Sequence, residues 1–352
     1  MRKKFYIKKN GYFKKRFDQF KVLEKKEIAV VPKNALIELT NACNHSCIFC
    51  FNPEMKRKIS YLDIKLYENF LGKCIGEGLE EIGLYSTGEP FMIKNLHKYI
   101  GSAKKLGIKR VYITSNGSLA SLDKVKKCIN AGLDSIKFSI NAGSKETYKI
   151  VHGYDDWEKV IRNVNNIYKY KVQNKLDLQL LCSFVYTDVT IDEIDNFKNK
   201  FSKFFEDMFF SKAGNQAGRT YKRSKTITQK INQNCNITEN SEEKKFKPCD
   251  MIWDKIHFTA EGYLTACCVD YENDLVYSKY NVNENIFDQF NNKKIKGLRK
   301  KHLKNKLDGT MCKNCLYNTS DSFESLSNYK FEKSNFNKKK INSLNSRLKK
   351  YN

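Results

Sequence analysis

The sequence predicts an α/β fold, namely an open, partial (β/α)6 barrel followed by a small Cys-rich domain. Strand-like apolar segments alternate six times with helical segments of about 10 to 15 residues, which is typical of parallel βαβ units. Six repeats favour a partial barrel over the closed eight-stranded form. The chain has 352 residues, of which 40% are apolar and 13% aromatic, so it can bury a sizeable core.

The predicted elements follow one another without a break from residue 35 to residue 210. The first strand, Ala35–Thr40, leads directly into a loop that contains three cysteines. Active-site residues of such barrels lie at the carboxyl ends of the strands. The later elements are the helix Ile59–Gly76, strand Glu81–Ser86, helix Leu96–Leu106, strand Arg110–Thr114, helix Leu122–Ala131, strand Ser135–Ile140, helix Trp157–Tyr170, strand Leu176–Val185, helix Ile191–Phe205 and strand Met208–Phe210.

Five segments are expected along the chain. They are a basic N-terminal extension (1–33), the barrel (34–218), a polar linker (219–247), a Cys-containing domain (248–318) and a basic tail (319–352). The segment 219–247 has no apolar periodicity and is expected to be a mobile linker or a lid, and the tail is expected to be frayed or weakly helical. The Cys-containing domain should hold the strands Ile256–Phe258 and Tyr263–Ala266 and a helix through Ile286–Leu303.

The formal charge is +26, from 65 basic and 39 acidic residues. Residues 1–34, 219–247 and 319–352 carry 19 of these 26 charges, so the basicity belongs to the ends and the linker. Only nine basic residues are Arg, the residue best suited to bidentate phosphate and guanine contacts, which argues against nucleic-acid binding. Without a signal peptide or an apolar stretch of 18 residues, a cytoplasmic protein with no stable membrane insertion is expected.

The twelve cysteines are the most informative feature. In a reducing compartment, close Cys spacings indicate metal or iron–sulfur ligation rather than disulfides. We call Cys43, Cys47 and Cys50 the front cysteines, and Cys249, Cys267, Cys268, Cys312 and Cys315 the back cysteines. The single cysteines Cys74, Cys128 and Cys182 are interpreted as buried small hydrophobes, and Cys235 in the linker as a free thiol.

The front cysteines have the spacing Cys43-x3-Cys47-x2-Cys50. A zinc site would need a fourth protein ligand, and His45 between the cysteines is badly placed to provide it. A [4Fe–4S] cluster held by three cysteines instead leaves one iron open to a chelating ligand. A zinc site at the front cysteines is the alternative interpretation.

This spacing, with the aromatic Phe49 just before the last cysteine, resembles the radical S-adenosylmethionine (SAM) superfamily. Gly88-Glu89-Pro90 after the second strand resembles the family's turn that binds the SAM amino group. Ser115-Asn116-Gly117 and Ser139-Ile140-Asn141 end the next two strands, where the family has polar residues near the ribose or carboxylate. Asn141 stands where Asp is common, so the negative charge is missing. The cofactor contacts implied are Phe49, Gly88, Glu89, Asn116, Ser139 and Asn141. His152 has two interpretations, a contact to the SAM carboxylate or a structural histidine.

The back cysteines resemble a shortened SPASM domain, which carries one auxiliary [4Fe–4S] cluster in such enzymes. Cys249, Gly262 and Cys267 have the matching spacing, and Cys312-x2-Cys315 follows. The implied ligands are Cys249, Cys267, Cys312 and Cys315, with Cys268 as the alternative to Cys267. A four-cysteine zinc ribbon is the competing interpretation.

The resemblance implies two [4Fe–4S] clusters and SAM, whose reductive cleavage yields a 5′-deoxyadenosyl radical that abstracts hydrogen from a substrate. A small polar substrate such as a sugar, aminocyclitol or nucleotide-sugar is favoured, with the auxiliary cluster accepting an electron. Because only about 34 residues precede the first strand, a peptide-binding domain is not expected there, and a peptide-modifying enzyme is the second hypothesis. A non-catalytic zinc- or RNA-binding protein is the third. The basic ends are expected to attract an acidic electron donor such as flavodoxin or ferredoxin.

Overall fold

The computed structural model describes residues 6–7, 15, 19, 21–234, 246–334 and 337–351. Within them the strands are β1 (Tyr6–Ile7), β2 (Asn34–Ile37), β3 (Glu81–Gly83), β4 (Arg110–Ser115), β5 (Ser135–Ser139), β6 (Gln179–Tyr186), β7 (Asp207–Lys212), β8 (Ile256–Phe258), β9 (Tyr263–Thr265) and β10 (Val276–Lys279).

The helices of the barrel region are α1 (Ile64–Gly76), α2 (Leu96–Lys105), α3 (Leu122–Asn130), α4 (Lys145–His152), α5 (Trp157–Gln173) and α6 (Ile194–Phe201). The later helices are α7 (Tyr221–Thr226), α8 (Gln229–Asn234), α9 (Met251–Asp254), α10 (Ile286–Phe290), α11 (Lys293–Leu303), α12 (Met311–Tyr317) and α13 (Lys338–Leu348). No helix in the described part of the chain is both long and apolar enough to cross a membrane.

The strands form one sheet in the order β1-β7-β6-β5-β4-β3-β2-β8-β9-β10. Strands β2 to β7 pair in parallel with their sequence neighbours, which confirms the six predicted strands and the partial barrel. The sheet stays open, with β1 and β10 at its edges. Strand β8 of the Cys-containing segment adds in parallel to β2, and the antiparallel strands β9 and β10 extend the sheet beyond it.

The two faces of the sheet differ in character. Ile136 and Phe138 of β5 are fully buried in the main core. A Cβ placed on Gly117 would lie 3.1 Å from Phe138 and 3.3 Å from Val160, so Phe138 points toward helix α5. Since side chains alternate along a strand, Lys137 points to the opposite, inner face. Phe70 of α1 stacks on Phe258 of β8 with ring centroids 4.1 Å apart, so the core continues from the barrel into the Cys-containing segment.

The predicted mobile linker is wrong for residues 219–234, which hold helices α7 and α8. Ile227 is fully buried there, against a small core that includes Ile48 and Val151. The buried positions of this segment are Thr220, Ser224, Ile227 and Thr228, of which only one is apolar, so no apolar periodicity marked the helices. Residue Cys235 lies outside the described residues.

The tail, which was expected to be frayed or weakly helical, is helical over Lys338–Leu348, and this helix α13 packs on the barrel. Its Leu344 is 1% exposed and its Arg347 9% exposed. The predicted helix through Ile286–Leu303 is two helices, since Asn292 caps α11 by accepting from the amide of Lys294. Helix α4, which begins after the capping Ser144, and strand β10 were not predicted.

Candidate functional site

The loop of residues 43–50, here called the cysteine loop, follows β2 and packs on the end of helix α4. The amide of Ser46 donates to the carbonyl of His152 over 3.1 Å, and the amide of Ile48 donates to Val151 over 2.9 Å. Burial raises the pKa of Cys43 to about 12 and raises that of Cys47 well above its usual value. These thiols are therefore protonated unless a bound metal displaces the proton.

The sulfur of Cys50 has two hydrogen-bonding neighbours. The Tyr271 hydroxyl lies 3.3 Å from this sulfur, and the amide of Asn52 donates to it over 3.4 Å. Tyr271 belongs to the Cys-containing segment, three residues after Cys268, so one side chain links the front and back cysteines. Sequence reasoning missed Tyr271, although the short distance from Cys268 along the chain could have drawn attention to it.

Two histidines flank Cys47. The Nδ1 atom of His152 lies 3.5 Å from the Cys47 sulfur and 3.2 Å from Nδ1 of His45. Their other ring nitrogens lie 3.0 Å from Asp156 Oδ2 for His45 and 2.7 Å from the Ile140 carbonyl oxygen for His152. Burial lowers the pKa of both rings. His152 is thus a buried partner of the cysteine loop, which supports its structural interpretation.

His45, Cys47 and His152 place three ligand atoms within 4.8 Å of one another. Of the front cysteines, only Cys47 belongs to this group, which agrees with the expectation that His45 is badly placed to complete one site with all three. The sulfurs of the three front cysteines do not form such a group among the described residues. Two sulfurs on one zinc ion lie within about 4.6 Å, because each Zn–S bond is about 2.3 Å. At least one pair of the front sulfurs is therefore more than 4.8 Å apart in this structure, beyond the reach of a single zinc ion.

The Gly88-Glu89 turn lies against the start of the cysteine loop. The amide of Glu89 donates to the carbonyl of Ala42 over 2.8 Å. A Cβ on Gly88 would lie 2.5 Å from that same Ala42 oxygen, so only glycine fits. The buried Glu89 carboxylate accepts from the hydroxyl of Ser115 and the amide of Asn116, each over 2.8 Å. Burial raises the pKa of Glu89.

The other predicted cofactor contacts lie at the same end of the sheet. The Asn116 amide group donates to Asn44 Oδ1 in the cysteine loop over 2.9 Å. The hydroxyl of Ser139 lies 2.9 Å from that of Ser183. Asn141 has a φ of 59°, and its side-chain oxygen accepts from the amide of Val185 over 2.8 Å. These residues are brought together with the cysteine loop, but part of their hydrogen-bonding capacity is already used within the protein.

A buried ion pair between Glu38 and Arg57 joins the two sides of the cysteine loop; each residue is 2% exposed. Glu38 also accepts from the Thr87 hydroxyl, next to the Gly88-Glu89 turn. Arg57 pairs with Glu261 at 2.9 Å and donates to Asn273 Oδ1 over 2.8 Å. The network therefore connects the barrel, the cysteine loop and the Cys-containing segment.

Three cationic side chains donate to backbone carbonyls of the cysteine loop. Arg223 of α7 donates to Cys50 over 2.9 Å, Arg347 of α13 donates to Ser46 over 2.6 Å, and Lys340 of α13 donates to Cys43. Sequence reasoning missed all three, because they lie in the segments interpreted as a mobile linker and a frayed tail.

The back cysteines gather at one place. Cys249 interacts electrostatically with Cys315 and Cys268, and Cys312 interacts with Cys249 and Cys315. Burial raises the pKa of Cys249 to about 12. A hydrogen bond from Cys267 lowers the pKa of Cys268, with His257 contributing in the same direction. Of these adjacent thiols, Cys268 interacts with Cys249 and Cys315, and Cys267 interacts with Cys249.

The inner face of the sheet near Cys268 carries Lys137, which is half-buried. Its ammonium group lies 5.6 Å from the centre of the Tyr85 ring. Burial lowers the pKa of Lys137, and the charge of Cys268 acts in the opposite direction. Within the part of the chain that the structure describes, Lys137 has no carboxylate partner. An unpaired cation beside an aromatic ring is suited to an anionic or hydroxyl-rich ligand.

The family profile of the radical SAM superfamily matches residues 37–199. A probable GTP 3′,8-cyclase of Sulfurisphaera tokodaii is 30% identical over 163 residues, which are 46% of this chain and 50% of that protein. A probable GTP 3′,8-cyclase of Saccharolobus solfataricus is 34% identical over 134 residues, 37% of this chain and 42% of that protein. The chain thus spans half or less of these curated relatives.

Two solved structures are similar in fold. BtrN in complex with AdoMet and 2-DOIA has a TM-score of 0.53 at 16% identity, covering 85% of this chain and 99% of BtrN. Streptococcus suis SuiB bound to the precursor peptide SuiA has a TM-score of 0.57 at 15% identity, covering 82% of this chain and 69% of SuiB.

We expect Arg57→Ala to lower the free energy of unfolding by about 3 to 5 kcal/mol, because it leaves the buried Glu38 carboxylate without its cation. The measurement is urea denaturation of the metal-free protein. Lys58→Ala is the matched control, since Lys58 is the neighbouring residue and its ion pair with Glu332 is exposed. Equal losses of stability in the two variants would show that the buried pair has no special weight.

Proposed function

We propose that this chain, which belongs to the radical SAM superfamily through the domain at residues 37–199, oxidises a small polar substrate by hydrogen abstraction. The observation that carries the proposal is the position of the front cysteines at the carboxyl end of the parallel strands, with Tyr271 joining them to the back cysteines. A substrate on the inner face of the sheet would lie between these two groups.

The front cysteines fit a [4Fe–4S] cluster by their surroundings. Donors from Asn52 and Tyr271 reach the Cys50 sulfur, as is common for cluster ligands. When bound, the cluster and SAM supply a 5′-deoxyadenosyl radical that takes hydrogen from the substrate. The role of the chain is to hold both cofactors in register and to keep water away from them.

We assign SAM to the rim formed by Phe49, Gly88, Asn116 and Ser139. Both oxygens of Glu89 already accept hydrogen bonds from Ser115 and Asn116. Glu89 helps to hold the turn in shape, and its Oε2, which accepts one hydrogen bond, keeps a lone pair for the SAM amino group beside the backbone carbonyls of the turn. Asn141 follows β5 and accepts a hydrogen bond from the amide of Val185 in β6, so we assign it the role of holding these strand ends in shape.

We assign a second [4Fe–4S] cluster, of SPASM type, to Cys249, Cys312, Cys315 and one of the adjacent pair Cys267 and Cys268. Cys268 interacts electrostatically with Tyr85 and Lys137 on the inner face. This position supports a path for the second electron of the oxidation, from the substrate to the cluster. The substrate radical would lose a proton as it gives up this electron. The separate electron that reduces the front cluster for SAM cleavage would come from a cytoplasmic donor such as flavodoxin or ferredoxin.

Lys137, Tyr85 and Ser139 support a substrate rich in hydroxyl or phosphate groups, such as a sugar, an aminocyclitol or a nucleotide-sugar. The relatives named as probable GTP 3′,8-cyclases give a reason to include nucleotides among the candidates. A peptide substrate is the second hypothesis and belongs in the same activity screen.

Replacing the three front cysteines by Ala should leave about four irons per chain, held by the back cysteines, and abolish reductive cleavage of SAM. Iron and sulfide analysis and 5′-deoxyadenosine formation after anaerobic reconstitution measure this. Retention of SAM cleavage would contradict the assignment. Stoichiometric zinc that is lost in His45→Ala and His152→Ala, with no SAM cleavage in the unaltered protein, would favour a zinc protein instead.

The double variant Cys312→Ala, Cys315→Ala should still form 5′-deoxyadenosine but lose the oxidised product, because the acceptor of the second electron is gone. Single Cys267→Ala and Cys268→Ala variants then show which thiol is the fourth ligand, through the iron content of each. A folded double variant with full product formation would disprove the electron-acceptor role.

Lys137→Met should weaken the substrate-dependent rise in 5′-deoxyadenosine while leaving substrate-free SAM cleavage unchanged, since Lys137 faces the substrate side. A screen of nucleotide-sugars, aminocyclitols and peptides provides the substrates. Lys109→Met is the control, because Lys109 is exposed just before β4, at the opposite end of the sheet. An unchanged substrate response in Lys137→Met would remove this residue from the substrate site.

A further inference from the structure

We propose that helix α13 is a component of the front cluster site. In this proposal Arg347 and Lys340 are positioning residues that hold the backbone of the cysteine loop and place positive charge beside the front sulfurs. The charge effect rests on the proposed function, whereas the positioning of the loop does not, because the backbone contacts need no bound cluster.

Arg347 joins the cysteine loop to the end of helix α4. One Nη atom donates to both the carbonyl and the hydroxyl of Ser46, over 2.6 and 2.9 Å. The other donates to the carbonyl of Ile150 over 2.8 Å. The last carbonyls of a helix have no partner within the helix and lie at the negative end of its dipole. The Arg347 guanidinium group donates to one of these carbonyls, places positive charge at the negative end of the dipole and also reaches Ser46. A Lys ammonium could not span Ser46 and Ile150 at the same time.

The surrounding residues are shaped for this contact. Gly153 has a φ of 80°, and a Cβ there would lie 2.6 Å from an Nη atom of Arg347. Leu344, one helical turn before Arg347, packs in the small core with Ile48 of the cysteine loop and Val151 of α4. The same helix thus supplies an apolar anchor and a charged anchor to the same loop.

Lys340 lies about two helical turns before Arg347 on α13 and donates to the carbonyl of Cys43 in the cysteine loop. Before α13, residues 332–334 run beside residues 56–58, which follow the cysteine loop in the chain. There the amide of Lys58 donates to the carbonyl of Glu332 over 3.1 Å, and the amide of Ser334 donates to Lys56 over 2.7 Å. The tail is therefore attached on both sides of the loop, and its two cations approach from the same helix.

Two fixed cations near a cluster favour its reduced form, which carries one more negative charge. Arg347 interacts favourably with the Cys47 thiolate, and Lys340 with the Cys43 thiolate. Lys339 is the natural control, because it is the neighbour of Lys340 on the same helix but is exposed to solvent. An exposed charge is screened by water and salt and should have little effect on the cluster.

The positioning is tested in the full-length, metal-free protein by hydrogen exchange at the amides of Ser46 and Ile48. Arg347→Met should raise their exchange rates about tenfold or more, as expected for the loss of charged hydrogen bonds, and Arg347→Lys should raise them less. Lys339→Met should match the unaltered protein. Equal exchange in Arg347→Met and Lys339→Met would overturn the positioning role. If Arg347→Met does not fold, Lys340→Met is compared with Lys339→Met at the amides next to Cys43.

The charge effect is tested by redox titration of the front cluster in the Cys312→Ala, Cys315→Ala background, followed by its electron paramagnetic resonance signal. Lys340→Met and Arg347→Met should both shift the midpoint potential to more negative values, while Lys339→Met leaves it in place. Unchanged potentials in all three variants would overturn the charge effect. If the protein binds no iron, the proposed function is wrong, but hydrogen exchange in the metal-free protein still tests the positioning role.

Discussion

The buried ion pair between Glu38 and Arg57 is the interaction on which the arrangement of the site depends. A carboxylate taken out of water must keep its partners, so the segments that supply them are held in place together. Here these segments are the end of the first parallel strand, the far side of the cysteine loop, the turn at Thr87 and the hairpin at Ala260. Because Arg57 also donates to Asn273, the Cys-containing segment is fixed by the same charge.

The cysteine loop shows the same dependence on distant parts of the chain. A short irregular loop cannot satisfy its own carbonyl groups, which therefore need donors from elsewhere. Arg223, Lys340 and Arg347 supply these donors, and Tyr271 adds a hydroxyl next to the Cys50 sulfur. The loop carries the chemistry, and four side chains from outside the parallel barrel strands help to hold its shape.

Patterns that are local in sequence were sufficient to predict much of this molecule. Alternating strands and helices identified the six parallel strands, and the Cys43-x3-Cys47-x2-Cys50 spacing indicated the loop at which we propose the site. Contacts between distant residues were not accessible in this way. Arg223 and Arg347 stand in Lys-rich segments whose buried positions are mostly polar, so no apolar repeat marks them. Tyr271 required the fold, because nothing near it in sequence indicates contact with Cys50.

The contact between Ser46 and Arg347 spans 301 residues of the chain. Contacts of such separation form late in folding, because they close very long loops. During synthesis at roughly 5 to 20 residues per second, the cysteine loop would wait about 15 to 60 s for Arg347 to be made. For that time its sulfurs are more open to oxygen, stray metal ions and cluster-delivering proteins than they are in the finished fold. The distance along the chain thus sets a period in which the site can be loaded or damaged.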